Sequence, residues 1–126
     1  MNNLFRQKKL LIIEDDADIL NILNLIFCEE GYLVVLSANG SESEQLSVIE
    51  PDLILLDIRL SAREREGADI CSRLKSQPAT NHIPIILLSA ELDIKQVCLA
   101  CGADNYLGKP FDIEQLSGMV REMVLK

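Results

Sequence analysis

Residues 51–60 read PDLILLDIRL, a run of leucine and isoleucine that leads directly into the acidic residue Asp57. Near-continuous leucine, isoleucine and valine is typical of a strand that helices cover on both faces of a parallel sheet. Four further short apolar runs occur on either side of this stretch. The predicted strands are Leu10–Ile13, Tyr32–Leu36, Leu53–Leu56, Ile85–Leu88 and a weaker one at Asn105–Leu107.

Segments with apolar residues at helical spacing separate these strands. The predicted helices contain Ile19–Phe27, 43–49, Ile70–Leu74, Ile94–Cys101 and Ile113–Met123. Gly31 is suited to end the first helix, and Asp112 is suited to cap the start of the last. Strand and helix alternate five times, which predicts an α/β fold with a doubly wound five-stranded parallel sheet and five helices. The flavodoxin-like strand order 2-1-3-4-5 is expected, with a Rossmann-type half as the alternative.

Composition indicates one globular domain that spans residues 1–126. Apolar residues make up 48% of the chain and charged residues 25%, as in ordinary soluble proteins. The net charge of -8 disfavours direct binding to nucleic acid or to an anionic membrane. No apolar run approaches the roughly 20 residues that span a bilayer, and no secretory signal opens the chain, so we expect a cytoplasmic location.

The four cysteines are expected to be reduced thiols that pack as small apolar side chains. They are Cys28, Cys71, Cys98 and Cys101. Cys98 and Cys101 form a CxxC pair, but Gly102 marks a helix end, whereas a redox pair favours a helix start. A zinc site would need further ligands, and no cysteine pair accompanies His82 at finger spacing.

Acidic residues follow the first and third strands. Glu14, Asp15 and Asp16 come after the first, and Asp57 comes after the third. In the order 2-1-3-4-5 these strands are neighbours about 4.8 Å apart, so their carboxylates converge where doubly wound sheets bind ligands. Ionised carboxylates this close need a cation or a proton between them. Because Mg²⁺ prefers carboxylate, water and phosphate oxygens, the sequence predicts a site for Mg²⁺, or for another divalent cation such as Mn²⁺.

The fourth and fifth strands add a hydroxyl and an amine to the same edge. Ser89 follows the fourth strand beside Asp57, and Lys109 after the fifth is long enough to reach across. A hydroxyl, an ammonium and a divalent cation could together hold the oxygens of a transferring phosphoryl group. Asp57 is then the predicted nucleophile. Any one of these residues alone is better explained as a cap or loop residue, as Asp16 could cap the first helix.

Four segments resemble the response-regulator receiver family of two-component signalling, which includes the chemotaxis regulators. They are LLIIEDD (10–16), PDLILLDIRL (51–60), IPIILLSA (83–90) and GADNYLGKPF (102–111), and the likeness covers essentially the whole chain. It implies that Glu14 and Asp15 are an acidic pair, with Asp15 favoured as the direct metal ligand. It also implies that Asp57 is phosphorylated and that the backbone carbonyl of Arg59 is a metal ligand.

The resemblance further implies a switch. Ser89 would move toward the phosphoryl group, the aromatic ring of Tyr106 would follow it inward, and Lys109 would be the active-site lysine. Pro110 would follow a cis peptide bond, and helix 4, strand 5 and helix 5 would form the surface that partners recognise. The chain departs from the family between residues 58 and 67, where the loop is longer and highly charged, with Ser61 at the usual proline position.

The implied phosphodonor is a histidine kinase or a histidine phosphotransfer protein, and the implied output is a downstream protein target. Such a protein promotes its own phosphorylation and dephosphorylation without being a turnover enzyme. No output module follows the fifth helix in this sequence, which leaves open a stand-alone regulator, a receiver from a larger protein, and a homodimer. The main alternative is a receiver-like interaction module that works without phosphate. An aspartyl-phosphate hydrolase would need a second carboxylate two residues after Asp57, in a DxD arrangement, but that residue is Arg59. A nucleotide-binding protein is disfavoured because the sequence contains neither GxGxxG nor GxxxxGK(S/T).

Overall fold

The computed structural model describes residues 7–60 and 66–125. Within these ranges the chain forms a five-stranded parallel sheet in the order β2-β1-β3-β4-β5, as predicted. The strands are β1 (Lys9–Ile13), β2 (Leu33–Ser37), β3 (Leu53–Asp57), β4 (Ile85–Ser89) and β5 (Asn105–Gly108). The α-helices are α1 (Ala17–Glu29), α2 (Leu46–Ile49), α3 (Glu66–Lys75), α4 (Ile94–Cys101) and α5 (Ile113–Val124).

The helices cover both faces of the sheet, so each strand is buried from two sides. Alternate strand residues such as Leu11 and Leu56 pack with buried residues of α2, α3 and α4. The intervening residues, such as Leu10 and Leu55, pack with α1 and α5. β3 and β4 are buried along their whole length, which explains why their sequences are almost entirely leucine and isoleucine.

Helix ends agree with the residues that predicted them. The Asp16 side chain accepts hydrogen bonds from two backbone N–H groups of the first turn of α1, and Asp112 does the same for one N–H of α5. Gly102 ends α4 with a positive φ of 82°, a conformation that glycine adopts without strain.

Most strand boundaries differ from prediction by one residue, and two differences have a visible structural cause. Tyr32 was predicted as the first residue of strand 2, but its N–H donates to the carbonyl oxygen of Phe27 in the turn after α1, so β2 begins at Leu33. The second helix was predicted as one segment over 43–49, but the chain forms a 3-10 turn at Ser41–Glu44 before α2. This break leaves α2 only four residues long.

The register of the strands sets the level of the candidate site. Ile13 pairs with Leu56 across β1 and β3, so Glu14 and Asp57 stand at the same level. Ser89 pairs with Gly108, the residue just before Lys109. All these residues therefore lie at the carboxyl edge of the sheet. None of the described helices is both long enough and apolar enough to cross a lipid bilayer.

Candidate functional site

Three carboxylates meet at the carboxyl edge of β1 and β3. One oxygen from each of Glu14, Asp15 and Asp57 lies within 4.8 Å of the other two. Glu14 and Asp57 are buried, whereas Asp15 is exposed at the mouth of the site. The site is a pocket of about 400 Å³, also lined by Asp16, Arg59, Ser89, Ala90, Glu91 and Lys109.

Lys109 reaches this cluster from β5. Its Nζ atom lies 2.7 Å from Glu14 Oε1 and 3.4 Å from Asp57 Oδ2. The lysine is held in place because its backbone N–H donates to the Ser89 carbonyl oxygen at 2.7 Å. The Lys109–Pro110 peptide bond is cis. The structure thus brings together an amine and two carboxylates from three separate strands.

The burial and the charges of the pocket raise the pKa of Asp57. Burial, followed by the hydrogen bond and the negative charge of Glu14, raises the pKa of Asp57 to about 7. Lys109 and the N–H of Arg59 act in the opposite direction but are outweighed. Burial lowers the pKa of Lys109, yet Glu14 and Asp57 overcome that effect and the net change is upward. One ammonium therefore does not compensate the carboxylates it faces.

Ser89 and Tyr106 were predicted as the switch residues. Ser89 is buried in the pocket wall, and its hydroxyl oxygen accepts a hydrogen bond from the Glu91 N–H at 2.9 Å. Tyr106 is half-buried and packs against the apolar cluster that α3 and α4 share, beside Leu87 of β4. Ser89 therefore lines the site, whereas Tyr106 is not among the residues that line it, although it lies on β5, the strand that precedes Lys109.

Arg59 and Glu91 lie at the rim of the pocket. The Arg59 N–H donates to Asp57 Oδ1 at 3.4 Å, while its guanidinium Nε lies 4.0 Å from Glu91 Oε1. The two side chains are 61% and 32% exposed, so this ion pair stands in solvent and is weak. Both residues line the pocket that contains Asp57.

Gly67 is the last residue of the segment 58–67, which the sequence predicts as a longer and highly charged loop. In the structure Gly67 lies in the first turn of α3, and its N–H donates to the Ile58 carbonyl oxygen at 2.8 Å. A Cβ atom at this position would lie 1.8 Å from the Asp57 carbonyl oxygen, so only glycine fits. The helix thereby packs directly on the end of β3. Residues 61–65, which include Ser61 and most of the charged loop, lie outside the described residues.

The donor set fits a small hard cation. Ligand oxygens on opposite sides of one Mg²⁺ ion are about 4.2 Å apart, close to the 4.8 Å within which the three carboxylate oxygens lie. All three donors are oxygens, and the negative charge in excess of Lys109 favours a divalent cation. The cluster could therefore hold a divalent metal ion.

Comparison with known proteins agrees with this geometry. The model of the family described as response regulator receiver domain matches residues 10–121. The DNA-binding dual master transcriptional regulator RpaA of Synechocystis sp. is 34% identical over 119 residues, which cover 92% of this chain and 48% of RpaA. Sporulation initiation phosphotransferase F of Bacillus subtilis is 33% identical over 116 residues, which cover 91% of this chain and 92% of that protein.

A solved structure gives the same result for the fold. It is the receiver domain of the sensor histidine kinase PA1611 from Pseudomonas aeruginosa, with a magnesium ion coordinated in the active site cleft. Its TM-score is 0.82 at 26% identity, and the match covers 96% of this chain and all of the other. The chain spans about half the length of RpaA and of other curated DNA-binding regulators that it matches.

This chain therefore belongs to the response regulator receiver domain family. It is a receiver domain of the two-component response regulators, and its acidic pocket of Glu14, Asp15 and Asp57 fits the phosphoacceptor site of that family.

Proposed function

We propose that Asp57 accepts a phosphoryl group, with Mg²⁺ held beside it, and that the phosphorylated chain switches its binding to a protein partner. The observation that carries this proposal is the meeting of Asp57, its two acidic neighbours and Lys109 in one pocket, from three strands. Chance placement of one acidic residue at a strand end is common, but complementary groups on three strands are not.

The three carboxylates of the pocket have different roles in the proposed cation site. Lys109 donates a hydrogen bond to one carboxylate oxygen of Glu14, and the other oxygen accepts a hydrogen bond from the Asp16 N–H at 3.2 Å. Because both oxygens have partners, Glu14 is suited to orient Lys109. Asp15, which is exposed, and Asp57 are the direct carboxylate ligands that we propose, together with the backbone carbonyl of Arg59. When bound, Mg²⁺ would neutralise charge on the carboxylates and on the phosphoryl oxygens.

The transfer step uses Asp57 as the nucleophile. A carboxylate oxygen of Asp57 forms a bond to phosphorus while the bond between phosphorus and the donor breaks. With a phosphohistidine donor, the imidazole leaves with the bonding electrons and takes up a proton. The ammonium of Lys109, 3.4 Å from Asp57 Oδ2, is placed to stabilise charge on the transferred group. The same groups would also promote slow hydrolysis of the phosphoryl group on Asp57. Because the domain would act only on its own phosphoryl group, we do not propose a turnover enzyme.

The switch begins with the hydrogen bond that Ser89 now makes. To bind a phosphoryl oxygen, the Ser89 hydroxyl would rotate away from the Glu91 N–H and shift the segment that leads into α4. Tyr106 is half-buried against the apolar cluster that includes Ile94 and Val97 of α4, and we propose that its ring moves further inward when this segment shifts. We propose that these movements reshape the surface formed by α4, β5 and α5.

Partners follow from the family. Receiver domains of this family interact with histidine kinases, so we propose a histidine kinase or a histidine phosphotransfer protein as the donor. RpaA is named as a DNA-binding regulator, and this chain covers 48% of it; we propose that this domain itself does not bind nucleic acid. The net charge of -8 opposes such binding by this domain.

Intact-mass spectrometry tests the proposal. The protein is incubated with acetyl phosphate and Mg²⁺, and one added phosphoryl group, about 80 Da, is expected. Asp57→Asn should gain none, and a chelator should abolish the gain in the wild type. Asp52→Asn, a carboxylate before the amino end of the same strand, is the matched control and should be labelled as the wild type is. Equal labelling of Asp57→Asn would refute the assignment.

A further inference from the structure

Three of the four cysteines gather where α3 packs against α4. Cys71 lies in α3, and Cys98 and Cys101 lie at the end of α4. All three are buried in one apolar cluster, whereas Cys28 is exposed on α1. None of them lines the phosphoacceptor pocket, so the proposed function does not account for them.

The two thiols that touch belong to different helices. The Cys71 thiol donates to the Cys101 carbonyl oxygen at 3.6 Å and contacts the Cys101 thiol, which itself donates to the Cys98 carbonyl oxygen at 3.8 Å. The Cys98 thiol donates a hydrogen bond to the Ala103 carbonyl oxygen at 3.5 Å. The sulfur pair is thus Cys71 with Cys101, which belong to different helices, rather than the two cysteines of the CxxC spacing in α4.

A groove between α3 and α4 gives access to one member of this pair. The groove has a volume of about 400 Å³, and Cys101 forms part of its wall together with residues such as Ser72, Gln96 and Ala100. Cys101 keeps 7% of its surface exposed, whereas Cys71 is fully buried behind it. A small molecule that enters the groove therefore meets Cys101 first.

The local hydrogen bonds assign different roles to the two thiols. The hydrogen bond from Cys71, helped by nearby backbone N–H groups, lowers the pKa of Cys101 to about 7 although burial acts against this. The same contact, together with burial, raises the pKa of Cys71. At neutral pH Cys101 is therefore the better thiolate, and Cys71 is a protonated thiol in contact with it.

We propose that Cys71 and Cys101 are a reversible redox pair, in which hydrogen peroxide closes a disulfide bond between α3 and α4 and a thiol reductant reopens it. The Cys101 thiolate attacks a peroxide oxygen, the O–O bond breaks, and the leaving hydroxide takes up a proton to become water. The Cys71 sulfur then attacks the resulting sulfenic acid, the S–S bond forms, and a second water leaves. The two sulfurs are oxidised together by two electrons, and hydrogen peroxide is reduced to water.

The bond would restrain the helix that the proposed switch moves. α4 starts five residues after Ser89, and Cys101 is its last residue, so the disulfide would anchor the far end of α4 to α3. The redox pair is nevertheless independent of phosphate, because neither thiol contributes to the phosphoacceptor pocket. Failure of one proposal leaves the other standing.

Peptide mapping tests the pair directly. The reduced, folded chain is treated with hydrogen peroxide, blocked with an alkylating reagent, digested with trypsin and analysed without reduction. We expect a cross-linked peptide that joins Cys71 to Cys101, about 2 Da lighter than its reduced halves, which dithiothreitol separates. Fragment ions must assign the partner, because Cys98 and Cys101 fall on the same tryptic peptide. Cys28→Ser, which removes the exposed thiol, is the matched control and should give the same yield.

Variants test the order of the two steps. In Cys71→Ser the sulfenic acid on Cys101 has no partner, so labelling of Cys101 by dimedone should rise at least tenfold. In Cys101→Ser, Cys71 should stay reduced. A cross-link between Cys98 and Cys101, or oxidation confined to Cys28, would overturn the proposal. If a serine variant does not fold, the presence or absence of the Cys71–Cys101 cross-link in the wild type still tests the proposal.

Discussion

Replacing Asp57 by asparagine should stabilise the metal-free protein. The Asp57 side chain is buried, accepts the Arg59 N–H and is paired at 3.4 Å with Lys109. These contacts do not offset burial beside Glu14, which raises the pKa of Asp57 to about 7. Asparagine keeps the shape of the side chain and removes the charge.

The raised pKa sets the size of the effect. A carboxyl group with a pKa of about 7 in the folded chain and 3.8 in the unfolded chain costs roughly 4 kcal/mol of stability when fully ionised. Relaxation of the site and entry of water reduce this cost, so we expect asparagine to add about 2 kcal/mol. For a chain of 126 residues this corresponds to a rise of about 7 °C in Tm.

The pH dependence has a defined sign. Because the folded chain binds the Asp57 proton more tightly than the unfolded chain does, the cost is absent below about pH 4 and grows toward about pH 7. The stability difference between the variant and the wild type should follow the same course and level off above neutral pH.

Thermal unfolding by circular dichroism in the presence of a chelator measures this difference. Asp15→Asn is the matched control, since it removes an exposed carboxylate of the same cluster and should add less stability. Added Mg²⁺ should raise the Tm of the wild type more than that of Asp57→Asn. A difference that is zero or negative at about pH 8, or that does not change with pH, would refute this reasoning.

Three further substitutions probe the same site. Gly67→Ala forces a Cβ atom against the backbone of the phosphoacceptor and should cost at least ~3 kcal/mol in denaturant unfolding, whereas Gly118→Ala, with open space around it, should be neutral or stabilising. Lys109→Met leaves the buried carboxylates of Glu14 and Asp57 without their cation and should cost about 3 kcal/mol at pH 8. The cost should be smaller at pH 5, where Asp57, with a pKa of about 7, is protonated; equal costs would contradict this pairing. Arg59→Ala should change the half-life of the phosphorylated protein, measured by mass spectrometry, and identical half-lives would discard a role for this side chain.

Most of the fold could be predicted because burial on both faces demands a specific composition. β3 and β4 have no exposed face, so their leucine and isoleucine runs identify them without periodicity. The order of the strands then brings Asp57 and Lys109 together, since parallel strands end at one edge. The start of β2 was predicted less accurately because most of its residues are only partly buried and Tyr32 belongs to the preceding turn.

What the sequence did not reveal depends on contacts between distant segments. The role of Gly67 follows from the approach of α3 to the Asp57 carbonyl oxygen, which no local pattern encodes. The resemblance favoured Asp15 over Glu14 as the direct metal ligand, but the contact between Glu14 and Lys109, which leaves Asp15 exposed, requires side-chain coordinates. In the same way, the sequence shows Cys98 and Cys101 as a CxxC spacing, but it does not show that packing of α3 on α4 places Cys71 against Cys101.

The dependence of the phosphorylation rate on Mg²⁺ concentration tests the site as a unit. With acetyl phosphate in excess, the rate in the wild type should rise from near zero to a plateau as Mg²⁺ is added. Asp15→Asn should need a higher concentration to reach half its maximum, because it removes one of the oxygens that hold the cation. A rate that stays the same with or without Mg²⁺, or that Asp15→Asn leaves unaltered, would contradict a shared cation and phosphoryl site.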